Sequence, residues 1–187
     1  MIERDNLTML IRSDAERWLG KDYKFGDLFK LRITRPGFIC IRRYRIVHYH
    51  KVNKHLIRYS LSYWLWGRAS IKFGISIAPD VIAGKGLMVI HYGGVFINGC
   101  TILGNNITIY NGVMLGESRG KSCAGFPKIC DDSVLYPGVK IFGGITVGCR
   151  SQILTNSVVI KDIPDDSIES GVPCQPIRKH LDNYFNN

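Results

Sequence analysis

One histidine lies where a regular pattern of aliphatic residues is interrupted. Around the segment VIHYGGVFIN an aliphatic residue recurs at every sixth position, but the interval from Val89 to Ile97 is eight. The two additional residues predict a small bulge that contains His91, and bulges re-aim side chains. An imidazole exchanges protons near neutral pH, so a histidine displayed in this way could serve proton transfer. The alternative is an ordinary surface histidine in a turn.

The same spacing places an amide beside this histidine. His91 lies two positions after Val89, and Asn111 lies two positions after Ile109. Three steps of the pattern separate Val89 from Ile109, so the two are stacked if three steps make one turn of the chain. His91 and Asn111 then share one corner in neighbouring turns. The sequence therefore predicts a polar site on an otherwise plain surface.

The interval of six residues indicates the fold class. It fits neither the 3.6-residue period of a helix nor the two-residue period of an ordinary strand. It predicts a chain that turns a corner every six residues, so that three hexapeptides form one triangular coil of a parallel β-helix. The thirteen lead residues, enough for about four coils, are Ile77, Ala83, Val89, Ile97, Leu103, Ile109, Leu115, Ile129, Leu135, Ile141, Val147, Ile153 and Val159.

We therefore expect a mainly β protein, a left-handed parallel β-helix of hexapeptide repeats with a short N-terminal α-helical region. The predicted regions are a basic helical part over residues 1–73, the β-helix over 74–160 and a C-terminal tail over 161–187. The long interval between two lead residues predicts a loop extruded at 116–128, and such loops often line a binding face. Within the helical part, Ser13 and Asn53 are predicted helix caps, and Pro36 is a predicted helix start.

The basic residues are concentrated in the first part of the chain. Residues 1–76 hold 16 Lys and Arg against 6 Asp and Glu, whereas residues 77–187 hold nine of each. Tyr and Trp accompany this charge, which fits a surface for the inner membrane leaflet or a polyanionic glycan. The other interpretation is helices packed on the top coil or on another trimer, with a solvated basic face. No DNA- or RNA-reading motif appears, so we expect no nucleic acid partner.

The cysteines and the N-terminal residues indicate where in the cell the protein is expected. The six cysteines form no CxxC pair and have no histidine at zinc spacing, so we expect no metal. The first residues lack a basic segment followed by an apolar one, which is the mark of a secretory signal. We expect a cytoplasmic protein with reduced thiols, and contact with the inner membrane surface stays open.

Several motifs carry a family resemblance. They are GKGLMVIHYGGVFIN, NNITIYNGVMLGE, FPKI, VKIFGGITVG and SVVIKDIPDDSIESGVPCQPIR. Together they resemble the serine acetyltransferase branch of the hexapeptide-repeat acyltransferases, and also the acetyltransferases of surface-polysaccharide synthesis, the colanic-acid type in particular. The resemblance covers about residues 40–178, and both the bulge at His91 and the extruded loop match the spacing of that branch.

The resemblance implies an acetyl-CoA-dependent O-acetyltransferase in which His91 is the general base that takes a proton from an acceptor alcohol. It implies a homotrimer, or a multiple of three, with acetyl-CoA in the groove between subunits. Lysine and arginine suit phosphates, although each could be an ordinary solvated cation. The predicted catalytic residues are His91, from the resemblance, Asn111, from its place beside His91, and Ser76, from the motif position of an orienting residue. The resemblance implies cofactor contacts at Pro137, Thr155, Lys161 and Arg178. Gly116 is a further predicted cofactor contact, whose N–H could also bind the oxyanion.

Four positions differ from the pattern of serine acetyltransferases. Ser76 stands where an Asp orients the catalytic histidine, and Ile90 stands where an Asp helps to hold the serine amine. Gly125 and Phe126 stand where an Arg–His pair binds the amino-acid carboxylate. A small zwitterion needs paired charges in its pocket, and these four residues carry none.

We therefore predict a sugar or polysaccharide acceptor, a hydroxyl of a surface polysaccharide or its precursor, with Tyr92 and Phe126 as substrate contacts. Serine O-acetylation in cysteine biosynthesis is the alternative within enzymes. A non-catalytic β-helix that binds a partner is the alternative from another class.

Overall fold

A computed structural model describes residues 4–118 and 124–177 of the 187-residue chain. Four helices come first: α1 (Arg4–Leu19), α2 (Phe25–Thr34), α3 (Pro36–Val52) and α4 (Leu56–Phe73). Short strands follow: β1 (Ile75–Ile77), β2 (Ile82–Ala83), β3 (Met88–Ile90), β4 (Val95–Ile97), β5 (Ile102–Leu103), β6 (Thr108–Tyr110), β7 (Met114–Gly116), β8 (Lys128–Ile129), β9 (Val134–Leu135), β10 (Lys140–Phe142), β11 (Thr146–Val147), β12 (Gln152–Ile153), β13 (Val158–Val159), β14 (Ile168–Ser170) and β15 (Gln175–Pro176).

The strands form three sheets that make the faces of a prism. The first sheet has the order β1-β4-β7-β10-β13, the second β2-β5-β8-β11, and the third β3-β6-β9-β12-β14-β15. All pairs are parallel except β14 with β15. Each coil adds one strand to each sheet, because strand n pairs with strand n + 3 through most of the chain. This confirms the predicted parallel β-helix of hexapeptide repeats with a helical N-terminal region.

The core of the prism is the stack of lead residues. Twelve of the thirteen predicted lead residues are buried, and Ala83 on β2 is partly buried. Most of the described residues four positions later are buried as well. Of the polar ones, Ser133, Ser151 and Ser157 make hydrogen bonds, whereas Thr101 Oγ1 has no partner among the described residues. Ser133 Oγ, for example, donates to the Cys130 carbonyl at 2.8 Å and lies 2.9 Å from the Gly148 carbonyl. The six-residue spacing of the sequence therefore matches the spacing of side chains buried inside the prism.

A buried ion pair fixes the helical region to the first coil. The Arg45 guanidinium on α3 binds both carboxylate oxygens of Asp14 on α1, at 3.0 and 3.1 Å, and donates to the Ala83 and Gly84 carbonyls of the coil. Asp14 also accepts from the Leu87 N–H at 2.8 Å. Burial raises the pKa of Asp14, and the positive charge of Arg45 acts in the opposite direction.

Two predicted helix caps are wrong, and one helix start is confirmed. Ser13 lies inside α1, where its hydroxyl donates to the Leu10 carbonyl at 2.8 Å. Asn53 is the C-cap of α3, and His55 precedes α4. Pro36 is the first residue of α3, a position that tolerates its missing N–H. No helix in the described part of the chain is long and apolar enough to cross a membrane.

Candidate functional site

The bulge at His91 connects the third sheet to the first. His91 follows β3 directly and has a positive φ of 65°, so its side chain leaves the regular strand direction. The bulge is held on both sides: the Gly93 N–H donates to the Phe73 carbonyl at the end of α4, and the Gly93 carbonyl accepts from Gly112 in the next coil, both at 3.0 Å. The imidazole is exposed, yet the backbone that carries it is fixed.

Four of the predicted site residues share one corner of the prism, which we name the histidine corner: His91, Asn111, Pro137 and Thr155. The register pairs Ile90 with Tyr110, so His91 and Asn111 occupy equivalent corner positions in neighbouring coils. Backbone hydrogen bonds continue the column, from Gly138 N–H to the Asn111 carbonyl and from Asn156 N–H to the Pro137 carbonyl. Neighbouring strands lie about 4.8 Å apart, so the corner runs about 14 Å from His91 to Thr155.

Two tyrosines that sequence reasoning missed lie beside the histidine corner. The Tyr110 ring lies 6.2 Å from the His91 ring, centroid to centroid, and stacks on the Tyr136 ring at 5.4 Å with an interplanar angle of 6°. The imidazole makes no hydrogen bond within residues 4–118 and 124–177, so the Tyr110 ring is a contact that can limit its orientation. A signal was present, since each tyrosine directly follows a lead residue and therefore points outward.

Ser76 and Gly116 belong to a separate groove on the first sheet. This groove of about 320 Å³ is also lined by Phe96, Asn98 and Phe142. A Cβ on Gly116 would lie 2.6 Å from the Phe142 ring, so the missing side chain lets this ring cover the strand. His91 does not line the groove, and no hydrogen bond joins Ser76 to His91 among the described residues. The structure therefore brings Ser76 together with Gly116.

The predicted substrate contacts lie on different segments. Tyr92 is 64% exposed in the bulge, whereas Phe126 is half-buried at the end of the extruded loop. The base of this loop is closed by paired backbone hydrogen bonds between Ser118 and Gly125, both 3.1 Å. No ring contact joins Tyr92 and Phe126 in the described part of the chain. Ile90 is half-buried on β3.

The cations near the predicted cofactor path differ in their surroundings. The exposed Lys161 ammonium donates to Gln175 Oε1 at 3.2 Å, and Arg178 lies outside the described residues. The Lys140 ammonium, which sequence reasoning did not single out, donates to the Gly112 carbonyl at the histidine corner. Among residues 4–118 and 124–177, no group of three or more His, Cys, Asp or Glu side chains is placed to hold a metal ion.

Comparisons with known proteins identify the relatives. The chain is 32% identical over 165 residues to the serine acetyltransferase of Helicobacter pylori, covering 94% of that enzyme, and 31% identical over 164 residues to that of Bacillus subtilis, covering 74% of it. The chain belongs to the serine acetyltransferase family. It also matches the enzyme of Haemophilus influenzae at 34% identity, over 74% of this chain but about half, 51%, of that one. No protein-family model matches the chain.

Solved structures agree with this membership. The Neisseria gonorrhoeae serine acetyltransferase in complex with serine is similar with a TM-score of 0.77 and 32% identity, over 92% of this chain and 69% of that one. A serine acetyltransferase in complex with CoA is similar with a TM-score of 0.78 and 28% identity, over 93% and 71%. The predictions of a hexapeptide-repeat acyltransferase and of acetyl-CoA as co-substrate are confirmed for the family.

The predicted acceptor is wrong. The relatives of this chain are serine acetyltransferases, and one of the similar structures contains serine, so a polysaccharide hydroxyl is not the acceptor that the comparisons support. The prediction took positions 76, 90, 125 and 126 for the whole acceptor pocket because of their places in motifs. In the structure these residues lie on β1, on β3 and at the end of the extruded loop.

Proposed function

We propose that this protein is a serine O-acetyltransferase that transfers the acetyl group of acetyl-CoA to the hydroxyl of serine, with His91 as general base. The observation that carries the proposal is the display of His91 by a left-handed turn at the start of the histidine corner, with three further motif positions one per coil below it. Relatives that bind serine and CoA support the identity of the two substrates.

The exposed imidazole is suited to the proton transfers of this reaction. A hydroxyl is a weak nucleophile toward a thioester, and a positioned base that removes its proton in the transition state contributes about 10²–10⁴-fold. The serine oxygen forms a bond to the acetyl carbon, the carbon–sulfur bond breaks, and the proton held by His91 passes to the departing thiolate. The Tyr110 ring restricts the imidazole on one side, while the other side faces solvent and is open to substrate.

The histidine corner supplies a path for the acetyl-CoA arm. A chain laid along it passes Asn111, Pro137 and Thr155 in turn, and the Lys161 ammonium is an exposed partner for phosphate beyond them. This corner of the prism is convex, so an extended acetyl-CoA bound along it needs a second protein surface on its other side. We propose that another copy of the chain provides this surface in a homotrimer or a multiple of three.

Acceptor assays test the proposed reaction. We expect L-serine to accelerate acetyl-CoA consumption, with O-acetylserine identified by mass spectrometry, and His91→Ala to abolish the acceleration. Serine methyl ester and N-acetylserine, each lacking one charge of serine, should be poorer acceptors if the protein holds both charges by groups outside positions 76, 90, 125 and 126. Acetyl-CoA consumption without O-acetylserine would overturn serine as acceptor, and no consumption with any acceptor would favour the non-catalytic scaffold.

Sedimentation analysis tests the proposed assembly. We expect the mass of three chains, or a multiple of three, in solution. A monodisperse monomer that still forms O-acetylserine would overturn the shared groove, because one copy of the prism would then bind acetyl-CoA without a second protein surface.

A further inference from the structure

One side of α4 carries exposed apolar residues along its whole length. Ile57, Leu61, Trp64 and Ile71 are spaced by four, three and seven residues, which places them on one helical face. All four are exposed, Trp64 by 56% and Ile71 by 87%. Another face of α4 meets the β-helix, where the Trp66 indole N–H donates to the Ile77 carbonyl at 3.0 Å. The apolar face is therefore not part of the packing within one chain.

The neighbouring helix repeats this arrangement. Phe25, Phe29 and Ile33 recur every fourth residue on α2 and are 81%, 58% and 62% exposed. The C-terminal halves of α2 and α4 border a common groove of about 720 Å³, with α3 also contributing to its lining. Ile33 lines it from α2 and Ile71 from α4, so two apolar ridges flank one groove.

The same groove is lined by four cations. Arg32, Arg43, Arg68 and Lys72 face it, and none of them pairs with a carboxylate in residues 4–118 or 124–177. The sequence contains no Asp or Glu between Phe29 and Pro79, so α3, α4 and the C-terminal half of α2 carry no acidic side chain. The positive charge of this surface is therefore not paired within the part of the chain that the structure describes.

The cations are also close to each other and to the apolar ridge. The Arg68 guanidinium lies over the Trp64 ring, 5.0 Å from its centroid. Burial and the neighbouring charges of Arg32 and Arg43 lower the pKa of Arg42. Cations and apolar side chains thus form one mixed surface, which we name the amphipathic face: Phe25, Phe29, Arg32, Ile33, Arg43, Ile57, Leu61, Trp64, Arg68, Ile71 and Lys72.

We propose that the amphipathic face binds the surface of an anionic lipid bilayer. Cations on a polar surface attract anionic head groups, and aliphatic and aromatic side chains beside them enter the boundary between head groups and acyl chains. In a twofold contact, a second copy of the chain would bring the same four cations against these, and like charges oppose such a contact. The ridges protrude, which suits insertion into lipid. This inference does not depend on the proposed acetyl transfer.

Vesicle flotation with the full-length protein tests the inference. We expect binding to vesicles of phosphatidylcholine mixed with phosphatidylglycerol, weak binding to phosphatidylcholine alone, and a decrease with added salt. The double variant Arg32→Glu/Arg68→Glu should bind the anionic vesicles about tenfold more weakly or worse. The matched control is Lys85→Glu/Lys128→Glu, which makes the same change of charge on exposed positions of the β-helix and should bind like the wild type.

A second variant tests the apolar part of the face. Trp64→Ser/Ile71→Ser keeps the charge and should lose the binding that persists at high salt, while acetyl transfer in solution stays unchanged. Equal loss in the Arg32/Arg68 variant and in the Lys85/Lys128 control would overturn the inference, since net charge alone would explain binding. Absence of binding to anionic vesicles would overturn it too. Loss of a larger assembly in the Arg32/Arg68 variant, without vesicle binding by the wild type, would assign the face to a second copy instead.

Discussion

Replacing Gly37 by alanine tests whether the helical region positions the candidate base. Gly37 is the second residue of α3 and is buried against β3. A Cβ at this position would lie 1.9 Å from the Val89 carbonyl oxygen, whereas real Cβ contacts stay beyond 3.0 Å. The helix and the strand must therefore separate by about 1 Å. Val89 lies two residues before His91, so this displacement reaches the bulge directly.

The expected effect of Gly37→Ala is larger on catalysis than on stability. Overpacking of a core contact costs about 1–3 kcal/mol, which a domain with several kcal/mol of stability survives. A misplacement of about 1 Å at a catalytic group can lower the rate about 100-fold. We therefore expect a folded variant with a lowered Tm, a kcat reduced by up to about 100-fold and a smaller change in the KM for acetyl-CoA.

The assay is steady-state acetyl-CoA consumption with serine, together with thermal unfolding. Gly67→Ala is the matched control, because Gly67 lies inside α4 and a Cβ there has no atom within 4 Å. This control should keep its kcat and gain about 0.4–1 kcal/mol of stability from the lower entropy of the unfolded chain. A Gly37→Ala variant with lowered Tm but wild-type kcat would refute the positioning argument, and one with neither change would refute the backbone contact itself.

Three further variants test the site and its support. His91→Ala should lower kcat about 10²–10⁴-fold and leave Tm nearly unchanged, because the imidazole is exposed; wild-type turnover would remove it from the mechanism. Tyr110→Leu should lower kcat but not the KM for acetyl-CoA, and Tyr110→Phe should retain kcat, because the ring and not the hydroxyl contacts the imidazole; equal losses in both variants would contradict this. Arg45→Met should cost about 3–5 kcal/mol in urea unfolding by leaving the Asp14 carboxylate buried alone. Asp14→Leu/Arg45→Met should recover part of this cost, because it removes the lone charge but leaves the Leu87 N–H without its acceptor; a double variant as unstable as the single one would refute the explanation.

The β-helix could be predicted because its geometry repeats in the sequence. Each coil places an equivalent residue in the core, so burial recurs with the period of the corners. Ala83 is the partial exception, and it lies in the first coil, where Arg45 binds its carbonyl and the helices replace a preceding coil. The shared corner of His91 and Asn111 followed from the same arithmetic, since one coil separates them.

Features that depend on non-repeating contacts could not be predicted in this way. Ser13 has a typical capping side chain, but α1 continues through it because the helix packs on the coil, where the Ser13 hydroxyl also accepts from the Gly86 N–H. Tertiary contact therefore decided where this helix begins.

The stack of Tyr110 and Tyr136 was within reach of the repeat, because the two residues lie one coil apart. It was missed because the pattern of burial marks inward positions and not outward ones.

The acceptor was mispredicted for a related physical reason. Charge requirements were assigned to individual positions by motif, although an acceptor is bound by whichever groups surround the reacting hydroxyl in space. Ser76 shows the difference. It occupies the position at which serine acetyltransferases carry the Asp that orients the catalytic histidine. In the structure, however, Ser76 lines the groove on the first sheet together with Gly116.

The helical region connects the stability of the prism with the geometry of the site. The first coil leaves three sheet edges, β1, β2 and β3, and an uncovered edge invites pairing with another chain. At β2, the Arg45 guanidinium of α3 binds the Ala83 carbonyl. Helix α4 covers β1 and helix α3 covers β3, and the Phe73 carbonyl at the end of α4 accepts from the bulge at Gly93. The contacts that protect these edges are thus the contacts that hold the backbone of His91. A change that loosens the helices should therefore lower catalysis before it unfolds the coils, because the bulge lies in the coil that the helices cover.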